Sequence, residues 1–138
     1  MPEYLSPEWT DALDRLVRAR VAVTVQSPVV IEQVVRDVPG RGRVRYQLRI
    51  DGAGARVIGA GELGSGGGDG RQPDVRLTID YRTAVAIARG EENAQGALAR
   101  GRLRIGGDAH VLVRHAAVLA ALDGATAELR SATTYPQP

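Results

Sequence analysis

The clearest pattern in the sequence is a strict alternation of polar and apolar side chains over residues 43–51. The apolar side chains on one side of this segment are Val44, Tyr46, Leu48 and Ile50. The polar side chains on the other side are Arg43, Arg45, Gln47 and Arg49. Because successive side chains of a β-strand point to opposite faces, this alternation predicts a strand with one buried face.

Other segments of similar character predict further strands, at residues 29–38, 54–61, 74–80 and 102–108. In the last two of these segments, the inward side chains are Val75, Leu77, Ile79, Leu103 and Ile105. Short glycine turns separate the early strands, so antiparallel pairing is expected for them. The glycine-rich residues 64–70 predict a flexible loop.

A helical pattern precedes the strands, at about residues 6–19. Ser6 is a suitable N-cap, and Pro7 suits the first position of a helix. The apolar residues then recur at helical spacing, at Trp9, Leu13, Leu16 and Val17. The sequence therefore predicts an amphipathic first helix.

The last third of the chain also follows a helical period. Asp80 is placed to cap a helix that ends at Gly90, and a shorter helix is expected over residues 93–100. A final helix is predicted over residues 109–122 and closed by Gly124. It is apolar over much of its circumference, which indicates deep burial. Residues 130–138 are expected to form a frayed tail.

These elements predict an α+β fold in one domain, residues 1–138. About five strands form a largely antiparallel sheet, and the helices pack on one face of it. Periodicity by itself favours a closed core beneath those helices.

The composition excludes sites that depend on cysteine or lysine. There is no cysteine, and all 18 basic residues are arginine. Disulfides, thiolate metal sites, Schiff-base lysines and P-loop lysines are therefore excluded. No segment has the ~20 apolar residues that span a membrane, and the N-terminus does not resemble a signal peptide. These features predict a cytoplasmic protein.

Motifs that resemble catalytic or cofactor sites have simpler explanations. Residues 59–64 match GxGxxG, but a glycine-rich stretch follows them where a dinucleotide site needs a helix. His110 and His115 are five residues apart in the final helix, so they do not share one face as metal ligands would. Asp108 suits the cap of that helix. No cofactor and no metal is expected.

Arginines dominate the polar side of the predicted strands, at Arg43, Arg45, Arg49, Arg76, Arg102 and Arg104. This face is interpreted as an ordinary solvated surface, and docking to anionic lipid headgroups is the alternative. Nucleic acid is not an expected partner, because stacking aromatic side chains are scarce.

Residues 80–108 resemble the most characteristic stretch of the sterol carrier protein type 2 family. An aspartate closes a strand, a small apolar helix ends at a glycine, and a second short helix follows. The final run of this stretch comprises Gly101, Arg102, Leu103, Arg104, Ile105, Gly107 and Asp108. Residues 4–16 also resemble the N-terminal helix of bacterial members of the family.

The resemblance implies an apolar cavity between the sheet and the helices. This cavity would bind a fatty-acyl, sterol-like or polyketide-like ligand non-covalently and without catalysing a reaction. The residues expected to line this cavity are Val44, Tyr46, Leu48, Ile50, Leu77, Ile79, Val85, Ile87, Leu98, Leu103, Ile105, Leu112 and Leu119. Leu98 stands where family members usually carry an aromatic residue, which leaves the size and identity of the ligand open.

Two alternatives to lipid binding stay open. The first is a cyclase or isomerase that uses the same cavity, with proton transfer by Tyr46, Tyr81, His110 or Asp108. The second is a closed-core interaction domain, for instance a homodimer. The first needs a polar group deep in a cavity, and the second needs a core without a void.

Overall fold

The computed structural model describes residues 2–20, 28–52, 54–59 and 73–136. The predicted flexible loop at residues 64–70 lies outside the described residues. So do residues 60 and 61, the end of the predicted third strand. Among the described residues, no helix has the length and apolar character needed to cross a membrane.

The elements follow the predicted order with small changes of boundary. The first half contains α1 (Pro7–Arg20), β1 (Val29–Val38), β2 (Gly42–Asp51) and β3 (Gly54–Ile58). The second half contains β4 (Val75–Asp80), α2 (Tyr81–Ala88), α3 (Ala94–Ala99), β5 (Leu103–Gly107), α4 (His110–Arg114) and α5 (Ala116–Leu129). A short 3₁₀ turn, Arg130–Ala132, follows α5.

The strands form one sheet in the order β3-β2-β1-β4-β5. Three of its strand pairs are antiparallel, and the central pair of β1 with β4 is parallel. The predicted α+β fold with a largely antiparallel sheet is therefore confirmed. The parallel pair arises because β4 returns to the far side of β1 instead of continuing the hairpins. Strand pattern alone carries no signal for that choice of neighbour.

The helices cover the face of the sheet that carries the apolar side chains. From α1, the side chains of Trp9, Leu13 and Val17 are buried in the same core as the inward residues of β1 and β2. At the end of β3, Gly59 allows α1 to approach closely, because a Cβ there would overlap the side chain of Thr10. The α1 helix therefore packs closely against the sheet at the end of β3.

The family-like stretch of residues 80–108 owes part of its sequence to local geometry. Asp80 caps α2, since its carboxylate accepts hydrogen bonds from the Thr83 backbone N–H (3.2 Å) and hydroxyl (2.6 Å). Gly107 has a positive φ of 85°, and a Cβ there would lie 2.5 Å from the carbonyl oxygen of Asp74. Only glycine allows β5 to approach β4 so closely.

The predicted final helix is wrong in three respects. It is two helices, α4 and α5, because the backbone leaves helical geometry at His115. Gly124 does not end α5, which continues to Leu129. The pair is also not deeply buried: Val113 is 75% exposed, and α5 buries only a narrow stripe. The reason is that the helix lies over a cavity on one side and faces solvent on the other.

Part of the predicted frayed tail makes hydrogen bonds to other segments of the protein. Within residues 130–136, Thr134 forms a parallel bridge with Glu3, and its carbonyl accepts a hydrogen bond from the backbone N–H of Tyr4 (2.8 Å). The hydroxyl of Tyr81 donates to the carbonyl of Pro136 (2.7 Å). These bonds place Tyr4 beside the cavity described below.

Candidate functional site

A cavity of about 660 Å³ lies between the inner face of the sheet and the helices. Its floor is formed by side chains of β1, β2, β4 and β5, and its other walls by α2, α3, α4 and α5. Sites for small molecules in proteins typically measure about 300–1,000 Å³ and are mostly apolar. The cavity of this structure falls in that size range, is mostly apolar and is partly open to solvent.

Most of the residues that were expected to line a cavity lie on this wall. They are Tyr46, Leu77, Ile79, Ile87, Leu98, Leu103, Ile105, Leu112 and Leu119. Tyr46 comes from the first half of the chain and the others from residues 77–119, and the sheet brings them together because β4 lies beside β1. Their contact with a ligand stays a prediction.

The other expected residues lie outside the cavity wall. Val44, Leu48 and Ile50 are buried in the hydrophobic core, and β3 pairs with the part of β2 that contains Leu48 and Ile50. Val85 is half-buried on α2 and packs against the same core. Inward parity predicted burial for the three strand residues. It does not distinguish a side chain that meets another side chain from one that meets a void.

Polar side chains also reach the cavity, and sequence reasoning had singled out only one of them. Tyr4, Gln33 and Tyr46 line the wall, and each tyrosine is only 6% exposed. Their hydroxyls and the Gln33 amide make no hydrogen bond to any other described residue. The ring of Trp9 packs edge-on against both tyrosines, at centroid distances of 4.9 Å to Tyr4 and 5.9 Å to Tyr46.

Asp123 on α5 is the acidic group of the same wall. It keeps an exposed surface, yet the protein around its carboxyl raises its pKa above the ordinary value by desolvation. Burial raises the pKa of Tyr46 strongly, and the charge of Asp123 raises it further. Burial likewise raises the pKa of Tyr4, with smaller contributions from neighbouring tyrosines that include Tyr46. Both phenols are therefore neutral hydrogen-bonding groups at physiological pH.

The remaining charged residues of the wall already have partners. Glu92 accepts a hydrogen bond from Nη1 of Arg100 at 2.6 Å and lies 4.0 Å from Nη1 of Arg102. Arg130 donates through Nε to the carbonyl of Ala88 at 2.7 Å. These groups contribute to the rim of the cavity while holding α2, α3 and the end of α5 in place.

Two of the overlooked residues carried a signal in the sequence. Gln33 has the inward parity of Ile31 and Val35 in β1, so it is a polar interruption of an apolar row. Asp123 similarly lies four residues after Leu119, on an apolar stripe at helical spacing. Tyr4 carried none, because its position depends on the bridge to Thr134.

The acid–base candidates of the enzymatic alternative do not gather in the cavity. Tyr46 lines it, but His110 and Asp108 are exposed near the start of α4. Tyr81 donates its hydroxyl to Pro136 outside the cavity wall. Within the described residues, no group of three or more His, Cys, Asp and Glu side chains could hold a metal ion.

The outer face of the sheet is not the uniformly solvated surface that was expected. Glu32 on β1 is only 1% exposed. Its carboxylate accepts hydrogen bonds from Arg76 Nε (2.6 Å), Gln47 Nε2 (3.0 Å) and Arg45 Nη1 (3.2 Å). Arg49 in turn donates twice to Gln47 Oε1, at 2.9 and 3.0 Å. We call these five side chains the outer polar cluster. The expectation overlooked Glu32, whose carboxylate pairs with Arg45 and Arg76.

Comparison of the sequence with protein families gives one match. The SCP-2 sterol transfer family matches residues 11–120, which is most of the chain. The resemblance inferred from residues 80–108 is thereby confirmed. A search of curated protein sequences found no match.

Three solved structures of similar fold have names that refer to sterol carrier proteins. The conserved hypothetical protein TT1886 from Thermus thermophilus is 21% identical, with 94% of this chain and 91% of that chain covered and a TM-score of 0.64. A structure of sterol carrier protein 2 is 20% identical, covers 91% and 98%, and has a TM-score of 0.62. The palmitated SCP2L2 from Aedes aegypti is 18% identical, covers 83% and 94%, and has a TM-score of 0.56. At these identities, the likeness shows a shared fold.

Proposed function

Since the chain belongs to the SCP-2 sterol transfer family, we propose that it binds one lipid or other hydrophobic molecule non-covalently in the cavity. The observation that carries this proposal is the apolar void of about 660 Å³ between the sheet and the helices. The palmitated form of the Aedes aegypti protein shows that a protein of this fold can be obtained with an acyl chain.

The driving force is the removal of hydrocarbon from water. Each CH₂ group that leaves water contributes about 0.8 kcal/mol, so a chain of modest length offsets the entropy lost on binding. The wall that receives it is built from leucine, isoleucine, valine and alanine side chains of both sheet and helices. Such a wall recognises an alkyl chain by its shape and lack of polarity.

The ligand enters beside α3. Leu98 lines the cavity and is also 44% exposed, so an apolar wall residue is accessible from solvent at this position. The α3 helix has only six residues, Ala94–Ala99, and buries Ala97 alone. An element with so few buried contacts opens at lower free energy than the core does.

We propose binding and not catalysis. His110, Asp108 and Tyr81 lie outside the cavity wall, and a general acid or base must come within hydrogen-bond reach of the reacting group. The protein would then carry its ligand unchanged, or present it to another protein.

Native mass spectrometry of the freshly purified protein, with solvent extraction of bound material, tests the proposal. We expect a discrete adduct of a few hundred daltons that extracts as a lipid. A pure protein mass that takes up nothing from a panel of fatty acids, fatty alcohols and sterols would reject it and favour a closed-core interaction domain.

A pair of tryptophan variants locates the ligand. Leu119→Trp puts a large ring on the cavity wall, whereas Val113→Trp puts the same ring on the solvent side of α4, where Val113 is 75% exposed. We expect the first variant to lose most of the adduct and the second to keep it, with unchanged circular dichroism for both. Equal adduct in both variants would place the ligand elsewhere.

A further inference from the structure

One end of the cavity is polar, and its groups have no partner within the described protein. We call Tyr4, Gln33 and Tyr46 the polar subsite. Gln33 and Tyr46 are direct cross-strand partners on β1 and β2, and both side chains face the cavity. Tyr4 lies near them, because the ring of Trp9 contacts the rings of both Tyr4 and Tyr46.

Such groups are unusual in an apolar wall. Buried polar groups in folded proteins are nearly always hydrogen-bonded, because an unpaired group loses the bonds that it makes with water. As whole residues the two tyrosines are more than nine-tenths buried, and their hydroxyls make no bond to any described residue. No fully buried side-chain nitrogen or oxygen of the described residues lacks a hydrogen-bond partner, so the phenol oxygens remain accessible from the cavity. A ligand that carries a hydrogen-bonding group to this end would satisfy them.

The charge near the subsite restricts what that group can be. Asp123 lines the same cavity, makes no ion pair with a described residue, and lies close enough to Tyr46 for its charge to act on the phenol. A ligand carboxylate at Tyr46 would meet this negative charge in a partly desolvated space. The cation of the wall, Arg130, already donates to Ala88.

We propose that the polar subsite selects lipids whose polar end is an uncharged hydroxyl, such as a fatty alcohol, and that Asp123 disfavours a free carboxylate there. This inference rests on the proposed binding of a hydrophobic ligand in the cavity. It assigns Tyr46 as the residue that bonds to the ligand hydroxyl and Asp123 as the residue that discriminates by charge.

Three ligands with the same twelve-carbon chain test this inference, namely 1-dodecanol, dodecanoate and dodecane. Trp9 is the only tryptophan of the chain and contacts both tyrosines of the subsite, so its fluorescence reports on binding. At neutral pH, we expect the wild type to bind dodecanol about tenfold more tightly than dodecanoate, from one hydrogen bond gained and one repulsion avoided.

Two variants separate the hydroxyl from the charge. Tyr46→Phe should lower the ratio of dodecanol to dodecane affinity about 3- to 10-fold, the usual worth of one hydrogen bond. Asp123→Asn should lower the ratio of dodecanol to dodecanoate affinity by a similar factor, mainly through tighter dodecanoate binding. Asp108→Asn is the control for the change of charge, because Asp108 is exposed and lies outside the cavity wall, and it should change neither ratio.

The outcomes distinguish this inference from the proposed function. If dodecane binds but neither ratio responds to Tyr46→Phe and Asp123→Asn, the cavity binds hydrocarbon and the polar subsite has no role. If dodecanoate binds more tightly than dodecanol and Arg130→Gln abolishes the difference, the carboxylate is held by Arg130 and the inference is overturned. If no twelve-carbon ligand binds at all, the proposed function fails and the inference fails with it.

Discussion

The two faces of the sheet treat their polar residues in opposite ways. On the outer face, the carboxylate of Glu32 accepts three hydrogen bonds, and Arg49 continues the outer polar cluster through Gln47. On the inner face, Gln33 and Tyr46 point into the cavity without a partner among the described residues. Glu32 and Gln33 are adjacent in β1, so the protein supplies hydrogen bonds to one of these neighbouring side chains and leaves the other available in the cavity.

The outer polar cluster and the polar subsite therefore have different roles: the first contributes to stability, and the second is available to a ligand. Hydrogen bonds that close within the protein contribute to its stability and leave nothing for a ligand. Polar groups that remain open in an apolar cavity reduce stability slightly and become useful only when something binds. Stability should therefore depend strongly on the outer polar cluster and weakly on the polar subsite. Ligand affinity should show the reverse dependence.

The largest effect is expected for Glu32→Ala, which removes the carboxylate that accepts hydrogen bonds from Arg76, Gln47 and Arg45. We expect the free energy of unfolding to fall by about 2–3 kcal/mol, less than for a fully buried ion pair because Arg45 and Arg76 are partly exposed. Urea titration followed by circular dichroism measures it. Glu91→Ala is the control, since the exposed pair of Glu91 with Arg89 should contribute less than about 0.5 kcal/mol.

A somewhat smaller effect is expected from pH. Burial by itself raises the pKa of Glu32, but hydrogen bonds from Gln47 and Arg76 and the charges of Arg76 and Arg45 outweigh it and lower the pKa below 4.5. A lowered carboxyl pKa gives stability that is fully present above the unfolded value and is lost as pH falls through the folded value. The stability difference between wild type and Glu32→Gln should therefore be constant near neutral pH and shrink below pH 4.5. A difference that grows on acidification would contradict this assignment.

A modest gain is expected for Gln33→Leu on the inner face. The change replaces an unpartnered amide in the cavity wall by an apolar side chain, so no hydrogen bond is lost and more apolar surface is removed from water. We expect thermal and urea unfolding to show an increase in stability of up to about 1 kcal/mol. Destabilisation by more than that would mean that the amide has a partner in the folded protein.

The smallest effect is expected for Tyr46→Phe in the ligand-free protein. The hydroxyl makes no hydrogen bond to a described residue, so its removal should change the free energy of unfolding by less than about 0.5 kcal/mol. The same variant is expected to discriminate less between dodecanol and dodecane in the binding assay. If Tyr46→Phe lowers stability but leaves the discrimination between dodecanol and dodecane unchanged, the Tyr46 hydroxyl contributes to stability and not to ligand binding.

Local sequence patterns predicted most of the fold. The alternation in residues 43–51 gave β2, and the proline after Ser6 gave the start of α1. The Asp80 cap gave the start of α2. The final helix was the exception. An apolar circumference was interpreted as burial, although one side of α5 faces a cavity and the other faces solvent.

The candidate site was predictable only in part. Parity identified Leu77 and Ile105 as inward, and both line the cavity. It identified Leu48 in the same way, but Leu48 lies in the hydrophobic core outside the cavity wall. Gln33 and Asp123 interrupt apolar patterns in the sequence, but spacing alone does not show that they face a cavity. Tyr4 reaches the cavity through a contact between the two ends of the chain.

The sequence by itself determined the elements of this protein, their order and the face that each buries. These properties follow from spacing along one segment, and physical forces between near neighbours decide them. Only the tertiary structure decided where the core closes and where it leaves a void, because that depends on which helix lies over which strand. It also decided that Glu32 finds three partners while Gln33, the next residue, finds none among the described residues.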